Sequence, residues 1–287
     1  MRPHEAGTLL ITGISGYVGS AVAALALASG HRVTGTYLHH TPTAPALAPC
    51  RLVRAPVEEI PAMIASLRPD VVLHTAAAWS TPAEAQAVIV EGTRGIAQAV
   101  AETAATFIHM STDLVFDGEH GPYTEESRPA PVNFYGAAKA AAEQIVAELT
   151  PRAVVVRTSL VTCFDPPDPR TQPIVDALEG RRAPVTLFTD EYRCPVRVED
   201  LAAALVELID RVNGVDSRFS GFLHIAGPER LSRYELGLRI ARFYGRDPEP
   251  GIIPGLARDS GQPRPRDCAL SIALAQRTLH TLLQPLP

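Results

Sequence analysis

Lysine is almost absent from this sequence: Lys139 is the only lysine among 26 basic residues, and the rest are arginine. Arginine replaces lysine well on a solvated surface. It is a poor substitute where a compact ammonium group must bind hydroxyl groups or adjust a neighbour's pKa. The one position that keeps lysine is therefore a candidate functional site.

Cysteine pairs, long apolar runs and excess positive charge are also missing. The four cysteines form no CxxC pair and the nine histidines no HExxH pattern, so we expect neither a disulfide framework nor a bound metal. Acidic residues outnumber basic ones by 31 to 26, which disfavours a nucleic-acid partner. Apolar stretches such as residues 18–29 are too short to cross a bilayer, and no signal-peptide pattern opens the chain. We expect a cytoplasmic protein that does not enter a membrane.

Hydrophobic patterning divides the chain into two parts. Up to Thr158, short β-branched runs alternate with alanine-rich helical patterns, which predicts a parallel sheet covered on both faces. After Thr158 this alternation stops, and proline- and glycine-rich loops separate shorter helical patterns. The sequence thus predicts an α/β fold, a Rossmann-type doubly wound parallel sheet with a smaller C-terminal lobe. The predicted strands are residues 8–12, 32–37, 51–55, 71–75, 106–111 and 153–158, and the longer helices are 18–29, 82–104 and 133–149.

A glycine-rich segment, residues 12–19, follows the first strand and opens the first helix. Its spacing is GxxGxxG. Such glycines let the backbone approach a pyrophosphate, and the helix N-terminus offers free N–H groups to it. The alternative is that the glycines only pack the helix onto the strand. The context favours a dinucleotide site whose contacts are Gly13, Ser15, Gly16, Tyr17, Val18 and Gly19.

Acidic residues are absent between Glu5 and Glu58. A site that prefers NAD usually places an acid on the ribose 2′-hydroxyl at the end of the second strand. Here that strand ends near His39, and Arg51 and Arg54 follow as partners for a 2′-phosphate. The alternative is that these are ordinary exposed loop residues. We expect NADP(H) to be preferred, or both NAD(H) and NADP(H) to be accepted.

Tyr135 precedes Lys139 by four residues, so a helix places both on one face. A free phenol has a pKa of about 10, too high for easy proton exchange at neutral pH, and a nearby cation lowers it. The pair therefore has the composition of a general acid–base site. Upstream, Ser111 and Thr112 end an apolar strand, where a hydroxyl can bind a substrate carbonyl or simply cap the next loop.

Together these motifs resemble the extended short-chain dehydrogenase/reductase family, and most closely its dTDP-4-dehydrorhamnose reductase group. The resemblance implies that Tyr135 donates a proton to a ketone oxygen and that Thr112 orients the carbonyl. It also implies that Lys139 binds the nicotinamide ribose and lowers the Tyr135 pKa. The resemblance also adds Thr75, Ala76 and Ala77 to the expected cofactor contacts. The similar segments are 12–19, 68–72, 74–78, 111–118, 122–126, 133–139, 156–159, 194–202, 224–227 and 264–267.

Some positions depart from the family pattern. Leu114 stands where sugar-nucleotide dehydratases continue an acidic pair, which disfavours dehydration. Leu160 replaces a tryptophan usual in rhamnose-forming reductases, which puts that sugar in doubt. The other departures are Ala55 for an aspartate, Ile89 for an asparagine and Val196 for a threonine.

The resemblance implies an NAD(P)H-dependent reductase of a keto group on a nucleotide-linked sugar. Two alternatives remain open: an epimerase of the same family, and a non-catalytic NADP-binding regulatory subunit like the methionine adenosyltransferase beta subunit. We assign residues 1–158 to the NAD(P)-binding domain, with 195–226 returning to it, and 159–194 and 227–287 to the substrate-binding lobe. A homodimer formed through the long helices before and around Tyr135 is a further expectation.

Overall fold

The computed structural model describes residues 7–213 and 219–287, and a seven-stranded parallel sheet lies at its centre. The strands are β1 (Thr8–Thr12), β2 (Arg32–Tyr37), β3 (Arg51–Arg54), β4 (Val71–His74), β5 (Thr106–Thr112), β6 (Val154–Thr158), β7 (Val161–Thr162), β8 (Val185–Phe188), β9 (Tyr192–Arg193), β10 (Val196–Arg197), β11 (Gly221–His224), β12 (Leu231–Ser232) and β13 (Ile252–Gly255). The sheet order is β11-β6-β5-β4-β1-β2-β3. The chain reverses direction across the sheet at β1, and ligands of such sheets bind beside the carboxyl ends of the strands at this point.

Helices cover both faces of the sheet. The α-helices are α1 (Tyr17–Ala28), α2 (Ile60–Leu67), α3 (Pro82–Glu84), α4 (Gly92–Ala101), α5 (Phe134–Leu149), α6 (Gln172–Leu178), α7 (Val198–Asn213), α8 (Arg233–Phe243) and α9 (Ala273–Thr278). One apolar core lies between the sheet and helices α1 and α7, and a second lies between the sheet and helices α2, α4 and α5. The predicted doubly wound fold is therefore confirmed.

The six predicted strands are all present, and most differences lie at element ends. Residues 82–104 were expected to form one helix; the segment instead consists of α3, a π-helical stretch over Ala85–Glu91, and α4, which ends at Ala101. Strand β11 was not predicted. It pairs with β6 and extends the sheet at one edge, where it contributes the buried residue Leu223 to the first core.

The C-terminal lobe is built from short elements with a small core of their own. Two two-stranded pairs, β12-β9 and β13-β8, are accompanied by helices α6 and α8, and a third pair, β10-β7, packs Val161 and Val196 into the first core. Leu187, Leu236, Ile240 and Ile252 are buried together in this core. Within residues 7–213 and 219–287, no helix has the length and apolar character required to cross a membrane.

Candidate active site

The turn between β1 and α1 is a tight backbone cradle. Gly13 has a φ of +73°, and a Cβ there would lie 2.8 Å from the Cα of Ala76. A Cβ on Gly19 would lie 2.5 Å from the carbonyl oxygen of Gly13. Gly16 is the N-cap of α1 and has no side chain to occupy the first N–H groups of that helix. This geometry fits a pyrophosphate at the helix N-terminus, as the sequence predicts for a dinucleotide.

A cleft of about 590 Å³ opens at the carboxyl edge of the sheet, between the glycine-rich turn and the C-terminal lobe. Gly13, Ser15 and Ala76 are not on its wall, although Gly13 and Ala76 pack against each other behind the turn. The predicted site residues that line the cleft are Gly16, Tyr17, Val18, Gly19, Thr75, Ala77, Thr112, Tyr135 and Lys139.

Helix α5 places Tyr135 and Lys139 on the cleft wall. The helix begins after Asn133, whose side-chain oxygen accepts a hydrogen bond from the Gly136 N–H at 2.8 Å. Lys139 is buried, and its Nζ donates to the carbonyl oxygen of Met110 at 2.9 Å. The two side chains therefore share one face of α5, next to the end of strand β5.

Burial changes the pKa of both groups. It lowers the pKa of Lys139 to about 8, while Glu143 acts in the opposite direction. Burial, followed by the negative charge of Asp113, raises the pKa of Tyr135 to about 12. The expectation that Lys139 lowers the Tyr135 pKa is thus not met: the cations that lower it are Arg170 and Arg193, and burial outweighs them. At neutral pH Tyr135 carries its proton, which suits a proton donor.

Thr112 ends β5 on the cleft wall beside a buried ion pair. Its hydroxyl accepts a hydrogen bond from the Leu114 N–H at 3.3 Å, so it also caps the following turn. The next residue, Asp113, is fully buried and forms a two-pronged ion pair with Arg193, in which Nε lies 2.6 Å from Oδ2. Ser159 Oγ donates to the same carboxylate at 2.6 Å. This ion pair ties the end of β5 to the C-terminal lobe.

Arginine side chains face the glycine-rich turn from the C-terminal lobe. Arg170 and Arg264 line the cleft, and Arg264 Nη1 lies 3.1 Å from the buried carboxylate of Glu191. Arg233 belongs to the same group: burial lowers its pKa to about 10, Glu191 opposes this effect, and the neighbouring arginine charges contribute to the lowering. Arg193 Nη1 also lies 3.9 Å from Glu191 Oε1, so the arginines in this region outnumber the two carboxylates with which they form ion pairs. The wall therefore carries the positive charge that a diphosphate requires.

The residues expected near a 2′-phosphate lie at two different places. His39 follows the end of β2 and is exposed, and Arg54 ends β3, where its Nε donates to the carbonyl oxygen of Leu38 at 3.0 Å. Both are at the carboxyl edge of the sheet. Arg51 instead begins β3, opposite Thr34, and so lies away from this edge. The structure removes Arg51 from the candidates and leaves His39 and Arg54.

The family departures and the missed residues also have defined positions. Leu160 and Leu114 line the cleft, whereas Ala55 and Ile89 are buried in the second core. Sequence reasoning missed Trp79, the only tryptophan, whose ring centroid lies 5.1 Å from that of Tyr135. Its rarity and its place after the 74–78 motif were available signals. No sequence signal marked the arginines of the C-terminal lobe, because arginine is common throughout the chain.

Known proteins are similar to this chain in sequence and in structure over nearly its whole length. Residues 7–286 match the family model described as the RmlD substrate binding domain. The chain is 31% identical to a probable low-salt glycan biosynthesis reductase of Haloferax volcanii, covering 90% of this chain and 88% of the relative. It is also 31% identical to the dTDP-4-dehydrorhamnose reductase of Mycobacterium tuberculosis, covering 94% and 86%. A hypothetical dTDP-4-dehydrorhamnose reductase structure from Sulfolobus tokodaii superposes with a TM-score of 0.81 at 27% identity, covering 98% and 97%.

Proposed function

Because this chain belongs to the RmlD substrate-binding domain family, we propose that it uses NADPH to reduce a keto group on a nucleotide-linked sugar. The family match confirms the resemblance read from the motifs, and with it an NAD(P)-dependent oxidoreductase of the extended short-chain dehydrogenase/reductase type. One observation carries the proposal most directly. Thr112, Tyr135 and Lys139 line the same cleft as the glycine-rich turn, although they come from two separate elements.

The dinucleotide would lie along the turn, with its pyrophosphate at the N-terminus of α1. Arg54 and His39 would hold the 2′-phosphate, and Thr75 and Ala77 would flank the ribose beside Lys139. When bound, the cofactor supplies a hydride. Lys139 holds the ribose hydroxyls, Thr112 orients the substrate carbonyl, and Tyr135 donates its phenolic proton to the ketone oxygen. The raised pKa of Tyr135 keeps that proton in place until a substrate accepts it.

The C-terminal lobe, residues 159–194 and 227–287, would bind the nucleotide and diphosphate of the substrate. Arg170 and Arg264 face the cleft and provide donors for phosphate oxygens. Leu160 stands on the same wall in place of a tryptophan, so we propose a keto sugar other than the usual rhamnose precursor. The same proposal places the enzyme in the cytoplasm and allows a homodimer.

The test is NADPH oxidation in the presence of a panel of 4-keto nucleotide sugars with thymidine or uridine bases, followed by product identification. A reductase consumes one NADPH for each alcohol formed. An epimerase would convert a nucleotide sugar without net consumption, and a regulatory subunit would bind NADPH without turnover. Arg170→Ala should raise the KM for the nucleotide sugar about tenfold and leave the NADPH Kd unchanged, as expected for a lost charged hydrogen bond.

A further inference from the structure

A second buried ion pair lies behind the cleft, one helical turn beyond Lys139 on α5. Glu143 and Arg157 are both about 1% exposed. The Glu143 carboxylate accepts hydrogen bonds from Arg157 Nη2 at 2.8 Å and from Arg157 Nε at 3.0 Å. A buried pair of this kind needs a reason, because replacing it by apolar groups often costs nothing in stability.

The pair is fixed in place from several sides. The guanidinium carbon of Arg157 lies 4.2 Å from the centroid of the Phe222 ring and 5.0 Å from that of Phe116. Arg157 Nη1 also donates to the carbonyl oxygen of Glu125 at 3.4 Å. With the guanidinium held between two rings, the carboxylate of Glu143 has one defined position.

That position connects the pair to the cleft in two ways. Ser111, which lines the cleft, donates its hydroxyl to Glu143 Oε1 at 2.5 Å. Lys139 is four residues before Glu143, and side chains at this spacing start about 5–6 Å apart on one helix face. A carboxylate at this distance favours the charged form of an amine.

The other groups around Lys139 do not replace this contribution. His74 on β4 and His109 on β5 are buried and lie near Lys139, and burial lowers the pKa of both, so both are neutral at neutral pH. Tyr135 on the same helix keeps its proton, and Met110 offers only a carbonyl oxygen. Glu143 is therefore the negative group that offsets the burial of the Lys139 ammonium.

We propose that Glu143, clamped by Arg157, is a positioning residue that keeps Lys139 protonated at neutral pH and orients Ser111 on the cleft wall. The pKa of Lys139 is lowered to about 8 even with Glu143 in place, so loss of this carboxylate would lower the pKa further. The consequence for turnover rests on the proposed function. The titration of the amine does not, because it is a property of the folded chain.

The single lysine makes this titration directly observable. Protein labelled with ¹³C at the lysine ε-carbon contains one labelled side chain, whose chemical shift reports the ionisation of Lys139. In Glu143→Gln the midpoint should fall by about one pH unit or more, as expected for loss of a neighbouring opposite charge. Glu148→Gln removes the same charge from an exposed position of the same helix and should leave the midpoint unchanged.

Glu143→Gln leaves Arg157 buried without its partner, which can unfold the protein. The same titration is therefore repeated on the double variant Glu143→Leu with Arg157→Met. This variant removes both charges, and because Glu143 rather than Arg157 acts on the Lys139 pKa, the midpoint should fall in it as well. A midpoint within experimental error of the wild type in either folded variant would overturn the proposal. If the midpoint falls but no keto sugar is reduced by the wild type, the proposed function fails and this inference stands.

Discussion

Lys139 Nζ donates a hydrogen bond to the carbonyl oxygen of Met110 at 2.9 Å, which fixes the only lysine of the chain against the end of strand β5. The contact uses one of three ammonium donors and leaves the others for ribose hydroxyls on the cleft side. The amine is buried in this position, and burial lowers its pKa to about 8.

The pH dependence of reduction follows from this pKa. Lys139 loses its charge as the pH rises through about 8, so kcat/KM should be level near neutrality and fall above that value. Tyr135, with a pKa raised to about 12, stays protonated over the same interval and adds no second decline. A pH–rate profile with NADPH and a keto sugar measures this. A rate that increases with pH through this interval would contradict the assignment.

The glycine-rich turn gives a prediction that separates binding from stability. Gly16 has an ordinary φ of −76° and lines the cleft, and a Cβ there would lie 3.1 Å from the Gly13 carbonyl oxygen. Gly16→Val should therefore block the pyrophosphate and weaken NADPH binding at least about tenfold, with a smaller loss of Tm than Gly13→Val. Gly13→Val adds strain at a φ of +73° and contacts the Ala76 backbone, so it should lower Tm as well. Normal NADPH affinity in Gly16→Val would mean that the turn is only structural.

Cofactor preference is tested at the two ends of one strand. Arg54→Ala should weaken NADPH binding about tenfold and NADH binding little, since only NADPH carries the 2′-phosphate. Arg51→Ala is the matched control, because this exposed arginine begins β3 whereas Arg54 ends it. Fluorescence titration of both cofactors gives the constants. If Arg54→Ala weakens the binding of NADPH and NADH equally, the 2′-phosphate contact lies elsewhere. A wild-type protein that prefers NADH would contradict the assignment in the same way.

Trp79 reports on the substrate side of the cleft. Its side chain is 47% exposed beside Tyr135, so a sugar ring that reaches the phenol must cover the indole. Trp79→Ala should raise the KM for the sugar by up to about tenfold, and Trp79→Phe should retain most of the affinity. In the wild type, the emission of this sole tryptophan should change on addition of nucleotide sugar. Unchanged KM values in both variants would remove Trp79 from the substrate site.

The parts of this molecule that local patterning controls were predictable. The strands up to Thr158 and the turn at Gly13 follow from runs of adjacent residues. The site formed with the C-terminal lobe was not, because Asp113 and Arg193 are 80 positions apart and meet only through the tertiary fold. The sequence led us to expect a lowered Tyr135 pKa because it shows Lys139 four residues away, but it shows neither the burial nor the nearby Asp113 charge that raise this pKa.

The central claim is that Tyr135 and Lys139 act together on a keto group, and substitution of these two residues tests it most directly. The measurement is kcat/KM for NADPH-dependent reduction in Tyr135→Phe and Lys139→Arg, with NADPH affinity measured in parallel. Tyr135→Phe removes the proton and should lower the rate at least about a hundredfold while NADPH still binds. Lys139→Arg keeps the charge but changes its shape, and should cost a similar factor. An unchanged rate and pH profile in Lys139→Arg would contradict the account, because the single lysine would then be equivalent to the arginines elsewhere in the chain.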